Sequence, residues 1–321
     1  MKIAFFEVTP TDKAFFEKHL SSHELYFDKN PLNLDNYEVA KNAQIISVFI
    51  SSKIDANLLQ KLPQLKGIAT RSTGTDHIDL EACKQQKMVV KSVPTYGVNT
   101  VAEHTIALIL TLSRKIYQSI TQTRQGNFAN KGLKGFDLAG KTLGIIGLGN
   151  IGTRVAELAQ AFKMKVLVYT RTAKPLAGVE FVDLNTLLNK SHVITLHTPL
   201  TPGTKHIINS QNIKEIRKGA LLINTARGPL IETEAIMKAL QEDTLAGVAL
   251  DVLEEEQAIK EEREIITEEY IELSSVKTLL LNHVLLDMPN VVITPHNAFN
   301  SREALLEINQ QTLENINSIA K

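Results

Sequence analysis

A chain of 321 residues, 43 % apolar and 22 % charged, is long enough for two buried cores, and its composition excludes disorder. No apolar run approaches the length of a membrane span. Lys plus Arg and Asp plus Glu balance at 35 each, so no net field recruits nucleic acid or anionic lipid, and a small-molecule partner is expected. The single cysteine, Cys83, excludes an intrachain disulfide framework and reads as a small core residue. Clustered Cys and helical His-x-x-x-His pairs are lacking, so no metal site is expected. Glu7 interrupts the first apolar run too early for a signal-peptide core, which points to a cytoplasmic protein.

In chain order, apolar runs at Lys2 to Val8, Ala43 to Ile50, Leu65 to Thr70 and Met88 to Val90 read as strands. Helical patterns such as Asp55 to Leu62 separate them, the alternation of a parallel α/β sheet. Thr100 and Glu103 are spaced as a capping box ahead of a nearly all-apolar helix, His104 to Leu112, suited to a domain junction. From Lys141 the rhythm restarts. Strands are expected near 143–147, 165–170, 192–196, 219–224, 246–250 and 290–294, with helices at 151–163 and 232–241. A densely acidic stretch, 254–272, interrupts the approach to the last strand and reads as a solvated helix or loop, or as a lid-like or oligomer-contact insert. Leu305, Ile308, Ile316 and Ile319 fall at helical spacing in a final helix expected to return to the first domain. The fold class is therefore α/β, with two domains, each built on a parallel sheet: residues 1–99 plus 300–321 are expected to form one and 100–299 the other.

The glycine fingerprint Gly147-x-Gly149-x-x-Gly152 runs from an apolar strand into a helix, with a second strand, Lys165 to Thr170, completing a βαβ unit. The first glycine permits the tight turn, the second lets backbone approach a pyrophosphate, and the third lets helix and strand pack closely. Free N–H groups at the helix start then face the anion. Three further segments, Ile223 to Pro229, Ala249 to Glu256 and Val292 to Phe299, follow strand ends, where open α/β sheets bind ligands. They bring Arg227, Glu256 and His296. Arg227 offers a planar fork to a carboxylate and carbonyl, at roughly 1.5–3 kcal/mol per charge-assisted bond. His296 can exchange a proton with the reacting oxygen, and Glu256 can orient the ring and stabilise its protonated form.

With these residues, the chain resembles the D-isomer-specific 2-hydroxyacid dehydrogenases over essentially its whole length. The likeness extends to Arg71 to Asp79, Val93 to Glu103 and His197 to Pro202. It implies a catalytic set of Arg227, Glu256 and His296, a nicotinamide contact at Asp251, and substrate carboxylate binding by backbone amides near Thr73 and Gly74. Further cofactor contacts are expected at Gly147, Gly149, Asn150, Ile151, Gly152, Thr170, Arg171, His197, Thr198, Pro199, Thr225 and Ala226. The branch most resembled is that of D-lactate dehydrogenases, through Phe49, Tyr96 and Phe299 as pocket rings and Ala304-Leu305 beyond the histidine. These imply a small 2-keto acid, pyruvate first, with glyoxylate and hydroxypyruvate as alternatives. A non-enzymatic dinucleotide-sensing protein, like the corepressors that resemble this family, is a reading of a different class. The family also implies a homodimer, Rossmann-like or flavodoxin-like domains with a cofactor cleft between them, a substrate domain at 1–99 plus 300–321 and a dinucleotide-binding domain at 100–299. At the end of the second strand of the βαβ unit, Tyr169-Thr170-Arg171-Thr172, with Lys174 nearby, stands where an NAD site usually carries an acid. Arg171 could bind a 2′-phosphate, so the expectation for NAD(P) favours NADP slightly over NAD.

Overall fold

The structure, a computed structural model, describes residues 1–172, 174–256 and 273–321. These form two compact units, Met1–Gly97 with Asn300–Lys321, and Val98–Phe299. The first unit begins with β1 (Lys2–Phe5), α1 (Pro10–His19), β2 (Glu24–Phe27), β3 (Ile45–Val48), α2 (Ala56–Gln60), β4 (Gly67–Thr70), α3 (Leu80–Gln85) and β5 (Val89–Lys91). The second runs α4 (Val98–Ser113), α5 (Ile116–Arg124), β6 (Thr142–Ile146), α6 (Asn150–Ala161), β7 (Lys165–Tyr169), β8 (Val179–Phe181) and α7 (Leu184–Lys190). It continues with β9 (Val193–Leu196), β10 (Ala220–Asn224), α8 (Thr233–Gln241), β11 (Leu245–Leu250), α9 (Leu273–Asp287) and β12 (Val291–Ile293). α10 (Arg302–Ala320) closes the chain within the first unit.

The first sheet has the order β2-β1-β3-β4-β5 and every pairing is parallel. β3 and β4 are buried at all positions, which is why they read as unbroken apolar runs. α1 starts where Thr9 and Asp12 cap one another across Pro10. Asp12 then accepts from Asn309 Nδ2 of α10 (2.8 Å) inside the core, and α10 packs on α1, β3 and β4 as its apolar spacing required. Cys83 lies in the apolar cluster under α2 and α3, where burial pushes its thiol up.

The second sheet, β12-β11-β10-β9-β6-β7-β8, is also parallel throughout. Its chain order reverses between β6 and β9, so the loops after those two strands flank a crevice-forming position at the carboxyl edge. Apolar clusters line both faces.

Two expectations need correction. α4 starts at Val98, so Thr100 lies inside its first turn and is no N-cap, while Glu103 instead accepts from Asn99 Nδ2. The left-handed Gly97 (φ +65°) turns the chain into the helix ahead of the supposed cap. Edge strands β2 and β8 were not anticipated, because Glu-Leu-Tyr-Phe and Val-Glu-Phe are only partly buried and make no apolar run. Of the acidic stretch 254–272, residues 257–272 lie outside the described residues. No described helix is long and apolar enough to cross a membrane, and no metal-holding cluster of His, Cys, Asp and Glu occurs among the described residues.

Candidate active site

The loop after β6 is built for a close backbone approach. Gly147 has φ +99°, and a Cβ there would fall 2.6 Å from His197 O, so glycine alone fits. Gly149 caps α6 without any side-chain hydrogen bond, and a Cβ on it would meet nothing within 4 Å. The first turn of α6, with Asn150 and Ile151, therefore leaves donors and open space where a phosphate would sit, while Gly152 lets the helix close onto Gly147. These residues fit a dinucleotide pyrophosphate. His197 walls this loop from the end of β9, followed by Thr198 and the exposed Pro199. Its buried Nε2 has no hydrogen-bond partner among the described residues, and burial drives its pKa down to about 3, so the ring is neutral at working pH. At the end of β7, Thr170 is half-buried and Arg171 exposed.

Three neighbouring strands, β10, β11 and β12, carry the remaining chemistry at the same edge. Beyond β10, the buried Asn224 side chain accepts from Ala226 N (3.0 Å) and donates to Arg227 O (2.8 Å), which fixes the backbone under Arg227. Arg227 Nη1 donates to Ala226 O (2.8 Å), and Thr225 Oγ1 meets Thr105 Oγ1 of α4 at 3.0 Å. Beyond β11, the Asp251 carboxylate is buried and accepts from Thr294 Oγ1, Asn297 N (3.0 Å) and Ala298 N (2.9 Å). Asp251 thus grips the loop on which His296 sits in a left-handed conformation, φ +53°. His296 Nδ1 lies 3.0 and 3.1 Å from the two carboxylate oxygens of Glu256. Forty residues separate this pair in sequence; the parallel register of β11 with β12, Leu250 opposite Ile293, brings their loops together. With Nδ1 held by a carboxylate, Nε2 is the nitrogen left to carry a proton. Phe299 stands edge-on to the His296 ring, with centroids 6.5 Å apart.

Residues 106–298 match the family model described as "D-isomer specific 2-hydroxyacid dehydrogenase, NAD binding domain". The chain belongs to that family. Among its relatives, 2-hydroxyacid dehydrogenase A of Aspergillus oryzae is 36 % identical, over 98 % of this chain and 91 % of that protein. D-lactate dehydrogenase of Escherichia coli is 34 % identical, over 100 % of this chain and 97 % of that one. In three dimensions it resembles the D-lactate dehydrogenase from Aquifex aeolicus complexed with NAD and lactic acid. That match has a TM-score of 0.88 and 35 % identity, and it covers 99 % of this chain and 95 % of the other. The chain is thus an oxidoreductase of 2-hydroxy acids that uses a nicotinamide cofactor.

In the first unit of this dehydrogenase, the remaining expected residues also follow strand ends: Phe49 after β3, Thr73 and Gly74 after β4, Tyr96 after β5. Thr73 Oγ1 donates to Val93 O (2.9 Å) and Ser72 Oγ to Gly74 O (2.7 Å), which braces the loop. Sequence reasoning missed the partners of these loops. Glu7, left-handed at φ +57°, accepts from Phe49 N (2.9 Å), and the buried Arg71 guanidinium lies 6.0 Å from the Phe49 ring centroid. Burial lowers the Arg71 pKa, with Asp12 and Glu7 opposing. His104 opens the nearly all-apolar stretch of α4. In the fold its Nε2 lies 3.3 Å from Thr294 Oγ1 and 3.6 Å from Asp251, bracing the loop that bears His296. Nothing in the local sequence signals these contacts, which arise from strand order.

Proposed function

We propose that this dehydrogenase interconverts pyruvate and D-lactate. The observation that carries the reading is the bidentate approach of Glu256 to His296 Nδ1 at the strand edge that also bears Arg227. When bound, the nicotinamide supplies or accepts the hydride at the substrate's second carbon. His296 Nε2 gives its proton to the carbonyl oxygen in reduction and takes it back from the hydroxyl in oxidation. Glu256 holds the ring in place through Nδ1, while Arg227 anchors the carboxylate and polarises the carbonyl. Amides at Thr73 and Gly74 are proposed to bind the carboxylate, and Phe49, Tyr96 and Phe299 to favour a methyl group. Discrimination against glyoxylate or hydroxypyruvate is modest in such a pocket, about 1–3 kcal/mol per methylene-sized difference.

The proposed cofactor contacts are Gly147, Gly149, Asn150, Ile151, Gly152, His197, Thr198, Pro199, Thr225, Ala226 and Asp251. Asp251 already holds Asn297 and Ala298, so a nicotinamide contact there would add to a bracing role. An exposed Arg171 and the hydroxyl of Thr170 support acceptance of a 2′-phosphate, with NADP slightly preferred to NAD. A homodimer is proposed with it. Ile116, Tyr117 and Ile120 of α5, and Phe128 just beyond, are exposed apolar side chains that a second copy would cover. Sedimentation of Ile120→Glu as a monomer beside a dimeric parent supports this; equal mass overturns it. A cytosolic location is proposed because the one thiol, Cys83, is buried with no second cysteine to pair.

The test follows nicotinamide absorbance with pyruvate, glyoxylate and hydroxypyruvate, each with NADH and NADPH. Fastest turnover of pyruvate, with NADPH at least matching NADH, supports the proposal. Cofactor binding without turnover of any pair replaces it with a sensing role.

A further inference from the structure

The turn after Arg227 and the turn that delivers Glu256 touch backbone to backbone. A Cβ on Gly228 would fall 2.0 Å from Leu253 O and 2.4 Å from Glu254 N, so no side chain fits at that position. A third segment clasps both turns. His206 N donates to Pro229 O (2.8 Å) and Ile208 N to Leu230 O (3.2 Å), and the His206 ring reaches across to Glu254, with Nε2 2.6 Å from Oε1. The second carboxylate oxygen of Glu254 accepts from Thr233 N (3.1 Å) and Thr233 Oγ1 (2.9 Å) at the start of α8. Asn282 of α9 donates to Glu254 O (2.8 Å). Within this net, His206 (φ +51°) and Glu255 (φ +56°) both sit in the left-handed region, which non-glycine residues occupy only when their surroundings hold them there.

We infer that Glu254 is a positioning residue for hydride transfer. Clamped by His206, Thr233 and Asn282, it fixes the Glu255 turn so that Glu256 meets His296, and through Gly228 it ties that turn to the one bearing Arg227. The inference rests on the catalytic reading of Arg227, Glu256 and His296. A carboxylate whose oxygens are both committed to fixed donors supplies geometry, whereas proton carriage falls to His296. The geometry is demanding, because a shift of about 1 Å in the Glu256 turn would break both contacts to Nδ1, and displacements of that size can cost roughly 10²-fold in rate. Other charged groups face the clamp. Glu232 at the start of α8 is held below the usual carboxylate range, chiefly by hydrogen bonding to Ser210, with His206 and Lys277 adding to the effect.

Glu254→Gln, Glu256→Gln and the double variant test the inference through kcat against KM for D-lactate oxidation, cofactor Kd and Tm. Glu254→Gln is expected to lower kcat by roughly 10- to 100-fold, with KM and cofactor Kd unchanged. Added to Glu256→Gln, it should lower kcat no further, because the turn it holds then no longer carries the carboxylate that meets His296. A lowered kcat in Glu256→Gln with an unmoved kcat in Glu254→Gln, or a fully multiplicative loss in the double variant, overturns the inference alone. An unmoved kcat in Glu256→Gln overturns the catalytic reading, and the inference with it. Should Glu254→Gln not fold, Thr233→Val removes one donor at similar volume. It is then expected to lower kcat by roughly 3- to 10-fold, again with no further loss when added to Glu256→Gln, and an unmoved kcat overturns the inference.

Discussion

The two units share a parallel, doubly wound sheet and treat its reversal point in opposite ways. In the first, the loops after β1 and β3 close on one of the chain's own anions: Glu7 accepts from Phe49 N (2.9 Å), Ser51 N (2.8 Å) and Ser52 N (3.1 Å), and from the Ser52 hydroxyl. Arg71, itself buried, reaches back to Phe6 O and Glu7 O at 2.7 Å each. In the second, the loops after β6 and β9 meet over Gly147, and the start of α6 has no side-chain cap. Loops and helix N-termini that follow parallel strands gather unpaired N–H groups at the carboxyl edge, and those donors need an acceptor. Where a side chain supplies it, the edge becomes a rigid scaffold; where glycine withholds it, the edge takes a ligand's phosphate.

The largest expected effect tests the open loop. Gly147→Ala puts a Cβ against a carbonyl at a φ alanine avoids, so we expect a loss of roughly 2–5 kcal/mol in urea unfolding; unchanged stability would show that the loop can relax. Next comes the filled loop. Glu7→Gln leaves donors short of an acceptor and should cost roughly 1–3 kcal/mol while cofactor affinity stays the same. A parallel drop in cofactor affinity would break the contrast between the two edges.

His197 gives a pH signature of similar size. Its folded pKa is depressed from 6.5 to about 3, so below pH 6.5 the unfolded chain binds a proton that the folded one refuses, and stability falls as pH drops toward 3. At pH 5 the penalty is about 2 kcal/mol. His197→Asn should narrow the gap between stabilities measured at pH 7 and pH 5 by that amount, and an unchanged gap would mean the ring is not so enclosed. The smallest effect sharpens the comparison most. Gly149→Ala meets no protein atom, so Tm should hold, yet the methyl would occupy the space left for a phosphate and weaken NADH binding roughly tenfold. Equal affinity would place the pyrophosphate elsewhere.

The fold class was legible because strands buried on both faces, such as Ile45–Val48 and Ala220–Asn224, are unbroken apolar runs. Edge strands Glu24–Phe27 and Val179–Phe181 escaped, since half-buried residues carry no such signal. Thr100 and Glu103 had the right spacing for a capping box, but the turn at Gly97 started the helix earlier. In the site, motif residues such as Gly147, Arg227 and His296 stood out by type and context. Glu7, His104, His206 and Glu254 did not, because their partners are remote in sequence: Glu7 meets Phe49, and Glu254 meets His206 from the far side of two strands. Such residues read as ordinary polar positions until strand order is known.

The most direct test of the account is the rate of pyruvate reduction by the protein and by His296→Ala, with NADH binding measured on both and the product resolved by chirality. D-lactate is expected from the parent protein. In the variant, cofactor binding should survive and turnover should fall by roughly 10²–10⁴-fold. Parent-like turnover in His296→Ala would contradict it.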